Sequence, residues 1–155
     1  YYYWATKEVS LTAVIREGAP RNLATAERIR DESTDAAAKL RELIVELMVA
    51  FAEHYPFLYV YLQENLDHVA PKRAEWAEHM RAMNRRYEQA VEAIIDQGIE
   101  EGAFEQLAPT RVLAFGAMGI VSWTNRWFDP DTAPADARAI GEAYAEIVIR
   151  GMSPA

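Results

Sequence analysis

From Arg111 to Trp127 the chain places Val112, Leu113, Phe115, Met118, Ile120, Val121 and Trp123 on most sides of a helical period, with few polar residues between them. A helix that is apolar nearly all round needs cover from several directions, so this segment demands a bundle. Gly116 and Gly119 leave out side chains at one-turn spacing and allow another backbone to come close. That cover can come from other helices of the same chain or from a second copy. The pattern alone leaves both open.

The rest of the chain supplies further helices. Leu40, Leu43, Ile44, Leu47, Met48 and Phe51 keep the helical period after the start signal Ser33-Thr34-Asp35, and Pro56 follows the end of that run. A short helix is expected through Tyr59, Tyr61 and Leu62. Pro71 can open a long one with Trp76, Met80, Met83, Tyr87, Val91, Ile94 and Ile95 on one stripe, closing between Gly98 and Gly102. Pro109 opens the apolar helix, which is expected to run to Phe128 before Asp129-Pro130. The last helix is expected from near Pro134, with Ile140, Ala143, Tyr144, Ile147 and Val148 as its face. The stretch between Thr6 and Ser33 is helical too, disturbed at Gly18-Ala19-Pro20, where proline kinks or divides a helix. Nothing alternates with period two for long enough to make a sheet, so the fold class is all-α.

Charge limits the partners. The 155 residues carry a formal net charge of −8, which makes the chain a poor nucleic-acid binder as a whole. The cysteine count is 0, so a disulfide framework and a thiolate metal site are both excluded. There is no apolar run of about 18 residues and no signal-peptide pattern, which reads as a cytoplasmic protein with no membrane partner.

The opening of the chain, Tyr1-Tyr2-Tyr3-Trp4-Ala5-Thr6-Lys7-Glu8-Val9-Ser10-Leu11-Thr12-Ala13-Val14, stands apart from this acidic background. Thr6 can cap a helix by accepting from a backbone N–H near Val9, and Glu8 sits close to the positive helix end. The tyrosines and Lys7 are side chains of the kind that grip phosphates and set the register of a protein on a duplex. In order and spacing the string resembles the end of the recognition helix, the turn and the start of the next helix in TetR-family transcriptional regulators. That family typically reads Leu-Tyr-Tyr-His-Phe-x-Ser-Lys-Glu-x-Leu-Leu-x-Ala-Val at this point. Tyr1 and Tyr2 fall on the tyrosine pair, Tyr3 on the histidine, Trp4 on the phenylalanine and Thr6 on the serine. Ser10 departs from the usual leucine. A second, softer likeness runs from Glu101-Gly102-Ala103-Phe104 through Pro109 to Gly119-Ile120-Val121-Ser122-Trp123-Thr124-Asn125-Arg126-Trp127-Phe128, with the last helix ending Ile149-Arg150-Gly151-Met152. It is similar to a branch that regulates lipid and steroid catabolism, several of whose members respond to acyl-coenzyme A thioesters.

The resemblance implies a TetR-like helical bundle whose last two helices form a four-helix bundle with a second copy. Residues 1–6 would then be a remnant of the N-terminal helix-turn-helix DNA-binding domain, and 7–155 the ligand-binding and dimerisation domain. It also assigns Tyr1, Tyr3 and Lys7 to the DNA backbone. The homodimer interface would use Phe115, Gly116, Gly119, Ile140, Tyr144 and Ile147. The expected protein is a ligand-responsive regulator, a repressor released from operator DNA by a small apolar or acyl-CoA-like effector.

A bundle of this size places a small-molecule site between helices. Phe51, Tyr59, Leu62, Met80, Met83, Tyr87, Met118 and Trp123 are the candidate lining, because methionine and aromatic side chains mould around flexible chains. The same residues at helical spacing are more often plain core. Arg126, between Trp123 and Trp127 in an apolar helix, must pair with an acid, stack on a ring or reach an anionic ligand, and Asp129 is the nearby acid. Arg81, Arg85 and Arg86 could meet phosphates but sit among Glu78, Glu88 and Glu92, as on a solvated face. For catalysis the chain offers no Gly-x-Ser-x-Gly elbow, phosphate loop or Glu-x-x-His pair. His54, His68 and His79 are scattered, so no catalytic residue, metal or cofactor is expected. The rival readings are a helical partner-binding dimer without a pocket and a helical-bundle enzyme.

Overall fold

The structure is a computed structural model that describes residues 18–53, 55 and 74–155. Among the described residues all regular structure is helical. It comprises α1 (residues 18–30), α2 (Ala36–Glu53), α3 (Ala74–Glu100), α4 (Thr110–Trp123), a single 3-10 turn (Thr124–Arg126) and α5 (Ala137–Met152). The expected helix through Tyr59, Tyr61 and Leu62 lies outside the described residues, as do Pro71 and the side chain of Trp76. Gly18, Ala19 and Pro20 have helical backbone at the amino end of α1 as described.

Local chemistry sets the helix ends. The Asp35 side chain accepts from the Ala38 N–H at 2.8 Å, fixing the start of α2 at the expected signal. α3 closes where the glycines predict. The Ala103 N–H reaches the Gly98 carbonyl at 2.8 Å and the Gly102 N–H reaches that of Ile99 at 3.1 Å, with Gly102 at φ 75°. The buried Phe104 ring folds back over Gly98, where a Cβ would lie 2.0 Å from the ring.

Two boundaries differ from the sequence reading. α5 starts at Ala137 rather than near Pro134, because Asp136 in extended conformation takes the Ala139 N–H at 2.8 Å. α4 stops at Trp123 and tightens into the 3-10 turn instead of continuing to Phe128. The released Phe128 turns inward, 4% exposed, and meets the rings of Phe51 and Tyr55 edge-on at 5.8 and 6.2 Å. It plugs the carboxyl end of α2, burying an aromatic surface that a straight helix would have left in solvent.

The core is built around α2. Leu40 and Met48 are fully buried there, facing Val91, Ile94 and Ile95 of α3 and the inner side of α5. Burying each such side chain contributes about 1.5–3 kcal/mol. The α2–α5 pairing is the most extensive among the described elements. Its closest approach is at Gly141, where a Cβ would lie 2.9 Å from the Val45 Cα. This turns Ile140, Gly141, Ala145 and Met152 into the core and leaves Ala143 and Ile147 outward, so the face expected from periodicity is divided between two sides of the helix.

Candidate functional site: a cleft beneath the first helix

Along its other side α2 helps form a cleft of about 80 Å³. Arg21, Asn22 and Thr25 come from α1. Opposite them, α2 presents Leu43, Leu47, Val49 and Ala50, with Glu46 and Glu53 as its polar members, and α3 gives Tyr87. The helical repeat explains the set: residues spaced by three, four and seven share one flank of α2, just as Arg21 and Thr25 share one flank of α1. Apolar walls with a few convergent polar groups are what a small-molecule site offers. Burial pushes the Tyr87 hydroxyl well above its ordinary pKa, which keeps this lining residue neutral. An engineered cavity of about 150 Å³ holds a benzene molecule, so the space as seen suits a short apolar group and a larger one needs the walls to part.

The expected lining is dispersed. Among the described members of that set, Tyr87 alone lies on this cleft. Phe51 and Met80 are core residues at 5% exposure each, while Met83 and Met118 are half-buried. Trp123 is 61% exposed and its ring lies under the Arg126 guanidinium at 4.2 Å, so the aromatic neighbour meets the stacking option open to that arginine. Asp129 accepts the Asp131 N–H at 2.9 Å. Both Trp123 and Arg126 thus stand at the surface, away from the cleft. Tyr59 and Leu62 lie outside the described residues. Sequence reasoning missed the contribution of α1, because Arg21, Asn22 and Thr25 look like an ordinary solvated helix edge until α2 is placed beside them.

The outer face of α4 and α5 is a second feature. Val112, Phe115, Trp123 and Ile147 are exposed there at 54%, 44%, 61% and 58%, and nothing within 4 Å would meet a Cβ on Gly116 or Gly119. Exposed apolar groups of this size clustered on adjacent helices mark a surface for protein contact. Ile140 does not share that face: it is 6% exposed, inside the bundle. Tyr144 is half-buried, and its hydroxyl lies 3.1 Å from Thr124 Oγ1, tying α5 to the end of α4.

Tyr1, Tyr3 and Lys7 lie outside the described residues, with His54 and His68. His79, Arg81 and Arg85 are exposed, and Arg86 pairs with Glu27 of α1. Among the described residues no three His, Asp or Glu side chains are grouped to hold a metal, and no helix is long and apolar enough to cross a membrane.

A cleft roofed by the first described helix, and an uncovered apolar face on the last two, define a helical-bundle domain of the effector-binding type. The family model described as tetracyclin repressor-like, C-terminal domain, matches residues 33–152. The chain belongs to that family, the TetR-family transcriptional regulators. Among solved structures, the TetR-family regulator PfmR of Thermus thermophilus is 25% identical with a TM-score of 0.76, the match covering 96% of this chain and 75% of that one. The ketosteroid regulator KstR2 of Mycobacterium tuberculosis is 22% identical at a TM-score of 0.80, over 100% and 77% of the two chains. AibR, solved in complex with isovaleryl coenzyme A and operator DNA, is 19% identical at a TM-score of 0.66, over 96% and 75%. No curated protein matches the chain in sequence.

Proposed function

We propose that this regulator is a homodimeric repressor that a small apolar effector, an acyl-coenzyme A or a fatty acid, releases from its operator, and that the effector enters the cleft between α1, α2 and α3. The observation that carries the reading is the roof of the cleft. Arg21, Asn22 and Thr25 belong to the helix that follows the tyrosine-rich segment in sequence, so a ligand pressing there acts on the part of the chain nearest the DNA contacts. Tyr1, Tyr3 and Lys7 contact the phosphate backbone in this scheme. Without effector the paired heads span adjacent major grooves, and with effector α1 tilts and their separation no longer fits. The acyl-coenzyme A class draws support from AibR and the lipid branch from KstR2.

The α4–α5 face supplies the dimer, through Phe115, Gly116, Gly119 and Ile147. A two-fold axis there would assemble four helices from two protomers. The test is native mass spectrometry of the full-length protein with isovaleryl coenzyme A, palmitoyl coenzyme A and palmitic acid in parallel. A dimer that gains the mass of one of them, and fails to when Ala50→Trp fills the cleft, is the expected result. A monomer, or ligand uptake that Ala50→Trp leaves intact, would remove the dimer or the site respectively.

A further inference from the structure

One charged side chain in the core has no part in the cleft. Lys39 is 4% exposed, and its Nζ donates to the Arg30 carbonyl and to Gln97 Oε1, both at 2.7 Å. Gln97 in turn donates from Nε2 to the Thr34 carbonyl at 3.0 Å and to Glu101 Oε1. The other oxygen of Glu101 accepts the Ala36 N–H at 3.1 Å. The last carbonyl of α1, the α1–α2 loop, the first amide of α2 and the end of α3 therefore meet at one hydrogen-bonded joint. A buried ammonium is costly to desolvate, and a methionine would fill the same space at less cost. What the lysine adds is direction: a cation at the carboxyl end of α1, aligned with the helix dipole and held on two sides.

The two halves of α1 are held differently. Ala26 and Ile29 are fully buried, Glu27 pairs with Arg86 of α3, and Arg28 pairs with Glu42 of α2. Arg21, Asn22 and Thr25, one to two turns earlier, border the cleft, and in that half Leu23, 5% exposed, is the inward anchor, with no ion pair to α2 or α3 among the described contacts of Arg21. We propose that the Lys39 joint is the fixed pivot of α1. In this scheme the carboxyl third of the helix stays locked to α2 and α3 while the cleft-side half swings. Lys39 is a positioning residue, and the inference rests on the effector reading of the cleft. From Arg30 back to Arg21 the helix spans about 13 Å at its usual rise, so a turn of about 10° at the joint moves the cleft side by about 2 Å. A pivot inside the core converts a small change of cleft width into a directed displacement. A helix loose at both ends would absorb the same change by sliding.

Hydrogen exchange on the full-length protein, without ligand, reads this directly. The expected result is that amides of residues 26–30 exchange at least about tenfold more slowly than those of 22–25. Lys39→Met should abolish that difference while leaving residues 43–48 and 90–95 as protected as before. Should Lys39→Met not fold, Gln97→Leu removes one acceptor from the same joint, and a loss of about threefold or more at 26–30 is expected. Uniform exchange along wild-type α1, unchanged protection in the variants, or a general loss through α2 and α3 would each overturn the pivot. Native mass spectrometry with isovaleryl coenzyme A and palmitic acid keeps the two ideas apart. If neither binds, the effector reading fails, while the exchange gradient still decides whether the joint is fixed.

Discussion

Phe115 offers the sharpest quantitative test of the proposed dimer. Its ring is 44% exposed on the outer face of α4, with the Arg111 guanidinium 5.4 Å from the ring centroid. A phenylalanine presents roughly 200 Å², so about 90 Å² is available to a partner. At about 25 cal/mol per Å² that is worth about 2 kcal/mol for each copy. Two-fold symmetry counts the side chain twice, and alanine retains part of the contact, which leaves a loss of about 3 kcal/mol. Phe115→Ala is therefore expected to weaken dimerisation by about a hundredfold. Sedimentation velocity across a dilution series measures the constant, and circular dichroism shows that the helices persist, since this ring is not part of the core. Ile140→Ala is the matched control. It empties a buried site, should cost about 2–5 kcal/mol of stability, and should change the dimer constant far less at temperatures where the protein is folded. A Phe115→Ala dimer constant within threefold of wild type would refute the assignment of this face.

Gly141→Ala should lower the thermal midpoint by several degrees in calorimetry, through an overpacking cost of about 1–3 kcal/mol, because the new Cβ meets the Val45 Cα at 2.9 Å and a backbone atom has no rotamer to change. The Glu146 carboxyl is held below its ordinary pKa by hydrogen bonds from Arg41 and then Arg150. It therefore contributes stability above its unfolded-state pKa that is lost as pH falls through its folded one. Glu146→Gln should flatten the fall of urea midpoints on the acid side by lowering the neutral-pH midpoint and leaving the low-pH one nearly as it was. In the cleft, two carboxylates (Glu46 and Glu53) oppose one guanidinium (Arg21). A polyanionic acyl-coenzyme A should thus bind more tightly as salt rises, in titrations at about 0.05 and 0.5 M, with a neutral apolar ligand unmoved. Weakening by salt would show that Arg21 governs.

The bundle was legible wherever periodicity and capping agree. The apolar stripe of α2 lies where Leu40, Leu43, Ile44, Met48 and Phe51 put it, and Gly98 and Gly102 close α3 as read. What escaped the sequence was decided by contacts between segments. Phe128 has the same helix-compatible surroundings as Trp127, and its inward turn is met by the rings of Phe51 and Tyr55, which are distant in sequence. Ile140 and Ile147 share a stripe on a helical wheel, yet the close approach at Gly141 rotates one inward and leaves the other in solvent. The described members of the candidate lining lie mostly off this cleft for a related reason. Choosing bulky and flexible side chains selects the residues that fill space, and a cleft forms where smaller ones such as Ala50 and Thr25 leave it open. Lys39, at the fourth helical position of α2, carries no sequence mark of the carbonyls it meets.

The position of α2 accounts for how these features can act together. A ligand in the cleft moves α1 only if the opposite wall does not yield first, and that wall is the flank of α2 bearing Leu43, Leu47 and Ala50. The inner side of the same helix is seated on α5 at Gly141 and on the α3 residues Val91, Ile94 and Ile95, and its carboxyl end is plugged by Phe128. Close-packed interiors compress little, so work done in the cleft is passed to the less firmly held helix. With the effector in the cleft as proposed, the extensive α2–α5 contact has a role beyond stability: loosening it should let effector binding be spent on displacing α2. A variant such as Gly141→Ala would then lose response to effector in greater proportion than it loses affinity, at temperatures where both proteins remain folded. Equal losses of the two would mean that α2 is not the wall against which α1 is moved.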